Sequence, residues 1–355
     1  MASRTERQRQ RQRRWHHHPA LHPWYNAVLT AGLSVALALA ALAAWRWGIR
    51  DAVLLPAGPE QCRAAAGACW AFVQEKAQLL AVGLFPRDML WRPCTALALL
   101  ALTLGISAAP RCWSRWLALL WAAAIALVIG LLHGAWLGLP VVRSEQWGGL
   151  LLTLLLILGS TLLAFPAGLL LAFGRRSRQA PLRLLCTTYI ELMRSVPLLA
   201  VLFSVSLLLP LLLPSAGDAP KVLRALFGIA LCMAAYFAEA IRGGLSAVPG
   251  GQWEAGASIG LSRWHAVRLV ILPQALRVAL PALVTTFLDF FKGTSLVLLI
   301  GVFDLMGATR AALADLPWQS FFLELYLTVG LVYFILSFIV SRYGAWLEAK
   351  LHHGD

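Results

Sequence analysis

Residues 254–276 read EAGASIGLSRWHAVRLVILPQAL. This run, with two arginines and a histidine, stands between strongly apolar stretches. Gly260 is a natural helix stop, because glycine readily takes the left-handed conformation just past a helix end. Ser262 suits the N-cap of a following helix, and Pro273 is expected to limit that helix at its far end. The stretch therefore reads as a short helix, a turn and a second short helix, with Trp264, Val267, Val270 and Ile271 close to one face. Glu254 falls in the first turn, where the helix dipole favours a carboxylate. The result is a compact knob, too polar to cross a bilayer and too apolar for a free linker. Two readings stand open: a docking surface for a partner, or an amphipathic helix pair lying on the bilayer.

The surrounding chain decides the class. Of 355 residues, 60% are hydrophobic and 13% charged, about half the charged share of a soluble domain. The mean hydropathy is +0.73. This is an all-α, polytopic helical membrane protein. Its net charge of +14 does not imply nucleic acid, because membrane proteins gather lysine and arginine in their cytoplasmic loops.

Eight spans fit, at about Ala27–Trp47, Cys94–Ala109, Trp116–Leu139, Gly148–Phe173, Leu185–Leu213, Val222–Gly243, Arg277–Phe303 and Phe321–Trp346. The first ends in ALALAALAAW, whose A-x-A patterns resemble a signal cleavage site. At about 20 residues it is long for a signal and right for an uncleaved span. Arg111 and Arg115, then Arg175, Arg176, Arg178 and Arg183, then Arg242, Arg263, Arg268 and Arg277 lie on alternate loops. They share a side with the basic tail at residues 1–25, so both termini are expected in the cytoplasm. The chain divides near Pro140. Residues 26–140 form a three-span extension with an extracytoplasmic loop at 48–93, and residues 141–355 form a five-span core. Cys94, Cys112, Cys186 and Cys232 read as small core residues. For Cys62 and Cys69, both in the long loop, a disulfide and a pair of free thiols stand equally open.

Glu254-Ala255-Gly256, then Gly260, then Leu272-Pro273 resembles the E-A-A, G and I-x-L-P pattern of membrane subunits of ATP-binding-cassette importers. Glu191–Leu199 (ELMRSVPLL) is similar to the E-x-x-R-G-T-P-L-L segment of the polar amino acid permeases. Tyr236–Gln252 (YFAEAIRGGLSAVPGGQ) is similar to their Y-x-A-E-x-x-R-G-G-x-x-x-V-P-x-G-Q, and LPQALR at Leu272 and KGTSL at Lys292 continue the likeness. The resemblance covers about Trp147–Leu351. More narrowly, CRAAAGACWAF at Cys62–Phe72 and PRDMLWRP at Pro86–Pro93 resemble the M-type permease of the general L-amino acid importer.

The resemblance implies a type I importer permease core, with residues 252–273 as the segment that couples to the ATPase. It also implies a cytoplasmic ATPase dimer, a second and non-identical permease subunit, an extracytoplasmic amino-acid-binding protein, and a place in the inner membrane among its lipids. No cofactor and no nucleic acid are expected. Two departures stand out. Gly256 replaces the second alanine of the triplet, loosening that helix by roughly 1 kcal/mol, and Ala257 replaces an arginine. A membrane scaffold that kept the fold and lost transport is the rival these departures would favour.

Charged and hydroxyl groups in or beside apolar runs are the candidates for a pathway or for structural pairing: Glu239, Asp289, Lys292, Thr294 and Ser295. Burying a charge in a span costs roughly 2.5–3.5 kcal/mol on insertion scales, so such groups should face the bundle interior or a cavity. Glu239 is expected to pair with Arg242, and Asp289 with Lys292 three residues on. Gly293-Thr294-Ser295 is a place for the backbone to break, as helices lining transport sites often do. Gly256–Gly260 also matches the G-x-S-x-G of serine hydrolases, which would make an intramembrane protease. That elbow needs a strand before it and a histidine in reach. Here helices flank both sides, and His265 lies about 10 Å of helical rise beyond Ser258. No Walker-type phosphate loop occurs, so ATP must be bound by another chain.

Overall fold

The computed structural model describes residues 24–114, 116–212 and 219–352. The basic tail expected at 1–25 thus lies almost wholly outside the described residues, as does Arg115. The chain forms two compact units that divide after Glu75.

The first unit begins with α1 (Trp24–Trp45), which runs through one wide π turn to Arg50. No residue of α1 is buried within the chain, as suits a helix whose solvent is lipid on every side. The following loop is compact. Cys62 and Cys69 are joined by a disulfide, with their Cα atoms 5.5 Å apart, which resolves the alternatives in favour of the bond. Val53 and Trp70 hold the loop through backbone bonds, Val53 N–H to Ala68 O at 2.8 Å and Trp70 N–H to Val53 O at 3.0 Å. The Trp70 indole donates to Gly48 O at 2.7 Å.

The main helices of the second unit are α2 (Trp91–Ala108), α3 (Leu117–His133), α4 (Gly149–Arg175), α5 (Ala180–Ser195), α6 (Leu198–Leu212), α7 (Lys221–Ala247), α8 (Gly251–Ser258), α9 (Arg263–Ala266), α10 (Leu272–Gly293), α11 (Leu305–Leu313) and α12 (Phe322–His352). Among the described residues six helices are long and apolar enough to cross a membrane, or seven if the bent α5–α6 pair is one span. The eighth expected span is α3. Its 17 residues reach about 26 Å, short of a full hydrocarbon core. The expected Trp116–Leu139 was too long because Gly134, at φ +91°, ends the helix.

The fifth span is also corrected. Residues 185–213 are not one continuous helix: α5 and α6 meet at 106°. Pro197 forces the preceding Val196 into an extended conformation (φ −92°, ψ 130°), because the proline ring clashes with a helical predecessor.

The core is centred on α4 and α7. A Cβ on Gly168 would come within 2.8 Å of Phe237 Cβ and 2.9 Å of Ala234 O, so only glycine permits this approach. Ser160 Oγ donates to Leu226 O across the same contact at 2.9 Å. Close backbone approach through small residues is how helices associate where the solvent is itself apolar. At the start of α2, Arg92 is 1% exposed. It donates to Leu131 O (2.6 Å) and Leu132 O (3.1 Å), carbonyls that the end of α3 leaves unpaired, and to Pro140 O (2.9 Å) in the loop beyond.

Candidate functional site

The opening stretch folds as a knob, with two corrections. Helix α8 stops just before Gly260, whose φ is +77°. Leu261 N–H bonds to Gly256 O and Gly260 N–H to Ala257 O, both at 3.0 Å, the paired closure of a left-handed helix stop. Ser262 caps α9, its hydroxyl accepting from His265 N–H at 3.4 Å. Pro273, however, ends nothing. Residues Val267–Ile271 form a π turn, and Pro273 sits in the first turn of α10, where a missing N–H is tolerated. The second short helix is thus the root of a membrane span.

That π turn also separates residues expected on one face. Ile271 is fully buried while Trp264 is 67% exposed. The knob's outward surface consists of Glu254, Ala255, Ile259 and Trp264, all exposed. Gly256 faces inward and is buried, Leu272 is half-buried, and Pro273 is exposed. The inward side joins an apolar cluster of Ile271, Ala275, Val248, Ile241 and Leu245 that also takes in Ala172 of α4 and Ile190 of α5, with Trp253 and Val270 packed against it. The knob thus packs against α4, α5 and α7 together.

Beside this cluster sits a charge network. Glu239 on α7 accepts from Arg242 (2.5 Å) and from Arg175 of α4 (3.1 Å), and Arg194 of α5 approaches to 3.5 Å. Arg175 also bonds Glu191 at 2.8 Å. The i,i+3 spacing made the Arg242 partner legible. The other two arginines come from elements far away in sequence.

Asp289 and Lys292 pair at 3.1 Å, both more than half exposed. Asp289 borders a cavity of about 250 Å³ between the α5–α6 bend, α7 and α10, with Met193, Tyr236, Thr286 and Phe290 on its walls. Glu239 stays in the arginine network. Thr294 is buried with its hydroxyl on Phe291 O at 2.7 Å, and Ser295 bonds Lys292 O at 2.9 Å. Here α10 gives way to the tighter 3-10 helix Thr294–Ile300.

Nothing in the knob supports nucleophilic chemistry. Ser258 Oγ donates back to Glu254 O at 2.9 Å, and His265 faces Ser262, not Ser258. What the geometry offers is a compact knob anchored in a helical bundle.

The chain belongs to the family described as binding-protein-dependent transport system inner membrane component, which matches residues 164–353. It is a permease subunit of an ATP-binding-cassette importer, a multi-pass inner-membrane protein, with ATP hydrolysis residing in a partner chain. It is similar to the inner membrane amino-acid ABC transporter permease protein YhdY of Escherichia coli (strain K12), 39% identical over 339 residues, covering 93% of this chain and 90% of that one. It is also similar to the glutamate/glutamine/aspartate/asparagine transport system permease protein BztC of Rhodobacter capsulatus, 35% identical over 352 residues, covering 83% and 80%. Among solved structures, an amino acid ABC transporter with histidines matches at 30% identity and a TM-score of 0.51, covering 57% of this chain and 92% of that chain.

Proposed function

We propose that this permease carries amino acids, with residues 252–273 as its coupling element and the cavity beside Asp289 as a point of solute contact. The single observation that carries the reading is the seat of the knob: Ile271, Trp253 and Val270 pack into the same cluster as α4, α5 and α7. An ATPase bound at Glu254, Ile259 and Trp264 then moves the helices that wall the cavity. The Asp289–Lys292 pair offers both charge signs that a zwitterion requires, and Thr294 and Ser295 supply the change of helix beside it. Gly256 is buried in α8 beneath Ala266, so the departure at this position leaves the knob folded, which favours an intact coupler over a scaffold.

The amino-acid assignment is supported by relatives of that description along most of the chain. We place residues 26–140 as an extension of the 141–355 core, both termini in the cytoplasm, and the disulfide loop outside. A second, non-identical permease subunit, an ATPase dimer and an amino-acid-binding protein complete the assembly.

Uptake of a labelled amino-acid mixture and ATPase activity in reconstituted vesicles test this together. Asp289→Asn and Lys292→Gln should lower uptake while binding-protein-stimulated ATP hydrolysis persists. Glu254→Lys should abolish both. Full uptake in the first pair removes the solute site, and normal ATPase stimulation in the last removes the coupling role.

A further inference from the structure

A second, larger cavity of about 640 Å³ lies at the ends of α3, α4 and α7, away from both the knob and Asp289. Its walls are apolar, including Ile129, Leu155 and Leu226, and its mouth is polar, with Arg143 and Glu145. Trp147 is 6% exposed, and its Nε1 is buried without a hydrogen-bond partner among the described residues. An adjoining hollow of about 120 Å³ shares Ser144, Glu145 and Val222 and adds Lys221. Arg143 and Lys221 make no ion pair among the described residues, and Glu145 accepts only from its neighbour Ser144.

The arrangement is that of an amphiphile site. The volume falls within the usual range for a ligand pocket, and apolar walls hold water poorly. The cavity opens where membrane spans end, at the depth of lipid headgroups, where an indole with one polar edge is at home. Two cations without an ion pair match a phosphate, and the Glu145 carboxylate, which borders both hollows, matches an amine. We propose that this cavity holds an acyl chain of one glycerophospholipid, with its phosphate on Arg143 and Lys221, its headgroup amine on Glu145, and a glycerol ester oxygen accepting from Trp147 Nε1. Such a lipid would brace α3 against α4 and α7 and so tie the extension to the core.

The test uses the full-length chain, purified in mild detergent with its bound subunits, titrated with palmitoyl-oleoyl phosphatidylethanolamine and read by native mass spectrometry. One lipid per chain is expected to survive stripping. Leu223→Trp, on the partly exposed wall, should weaken the adduct by narrowing the cavity. Arg143→Gln, at an exposed position that leaves the fold untouched, should weaken binding about tenfold through loss of a charged hydrogen bond. A native chain without lipid, or equal binding in both variants, overturns the proposal. So does a photo-crosslinker at position 223 that captures a neighbouring protein subunit in place of lipid.

Discussion

Gly256→Ala should stiffen the coupling knob. The residue is buried in α8, and a Cβ built there comes 3.4 Å from Ala266 Cβ and 4.0 Å from Leu261 Cδ1. Those are ordinary van der Waals distances, so the methyl group enters without displacing its neighbours. Alanine gains roughly 1 kcal/mol over glycine in a helix interior, and the buried methyl adds up to about 0.8 kcal/mol. A local gain of about 1–2 kcal/mol corresponds to a factor of about 5–30 in the closed-to-open ratio. Hydrogen–deuterium exchange of the Gly251–Ser258 amides in the purified complex should slow by that factor. Gly260→Ala is the opposing control. It has open space around it, but its φ of +77° costs an L-residue about 1–2 kcal/mol, so exchange should accelerate. Faster or unchanged exchange in Gly256→Ala would refute the reasoning, because it would mean that α8 is not seated against Ala266.

Two further outcomes follow from the charged groups. Glu239→Gln leaves Arg175, Arg194 and Arg242 facing one another, and should destabilise the chain by about 2–3 kcal/mol in denaturant titrations followed by tryptophan fluorescence. Adding Arg175→Gln should cost about 1 kcal/mol less in that background than alone, and strict additivity would show that the arginines do not share the carboxylate. The Asp304 carboxyl, buried at the N-cap of α11 with Gly307 N–H on Oδ1 at 2.9 Å and Oδ2 unpartnered among the described residues, is pushed up to about 7 from 3.8 by desolvation. The fold therefore holds a proton that the unfolded chain releases. This contribution, on the order of 4 kcal/mol, is full below about pH 4, is lost as pH rises through 7, and is flat above. Thermal melts from pH 5 to 8.5 should show the decline in the native chain and none in Asp304→Asn, which keeps the cap; parallel curves would remove Asp304 as its source.

Much of this protein is legible along the chain because a bilayer reduces the problem to local rules. Spans must be long, apolar and helical, since no water is present to satisfy a free backbone. That places α1, α2, α4, α7, α10 and α12 from composition. Gly260 and Ser262 announced the turn between α8 and α9 because helix termini are decided by one or two residues. The motif resemblance supplied the importer class for the same reason: its residues are contiguous.

Tertiary structure decided what depends on distance through space. Pro197 was visible, yet an apolar run on either side concealed that it bends α5 from α6 by 106°. Pro273 is a helix breaker by residue type, but the π turn before it makes it a helix starter, and the same turn parts Trp264 from Ile271. The closure of Cys62 on Cys69 rested on how the loop folds. Glu239 announced only Arg242. Arg175, 64 residues away, and Arg194 join it because α4, α5 and α7 pack together. Sequence periodicity reports which face of a helix avoids water, whereas the partners of that face are set by packing between elements, which leaves no local mark in the chain.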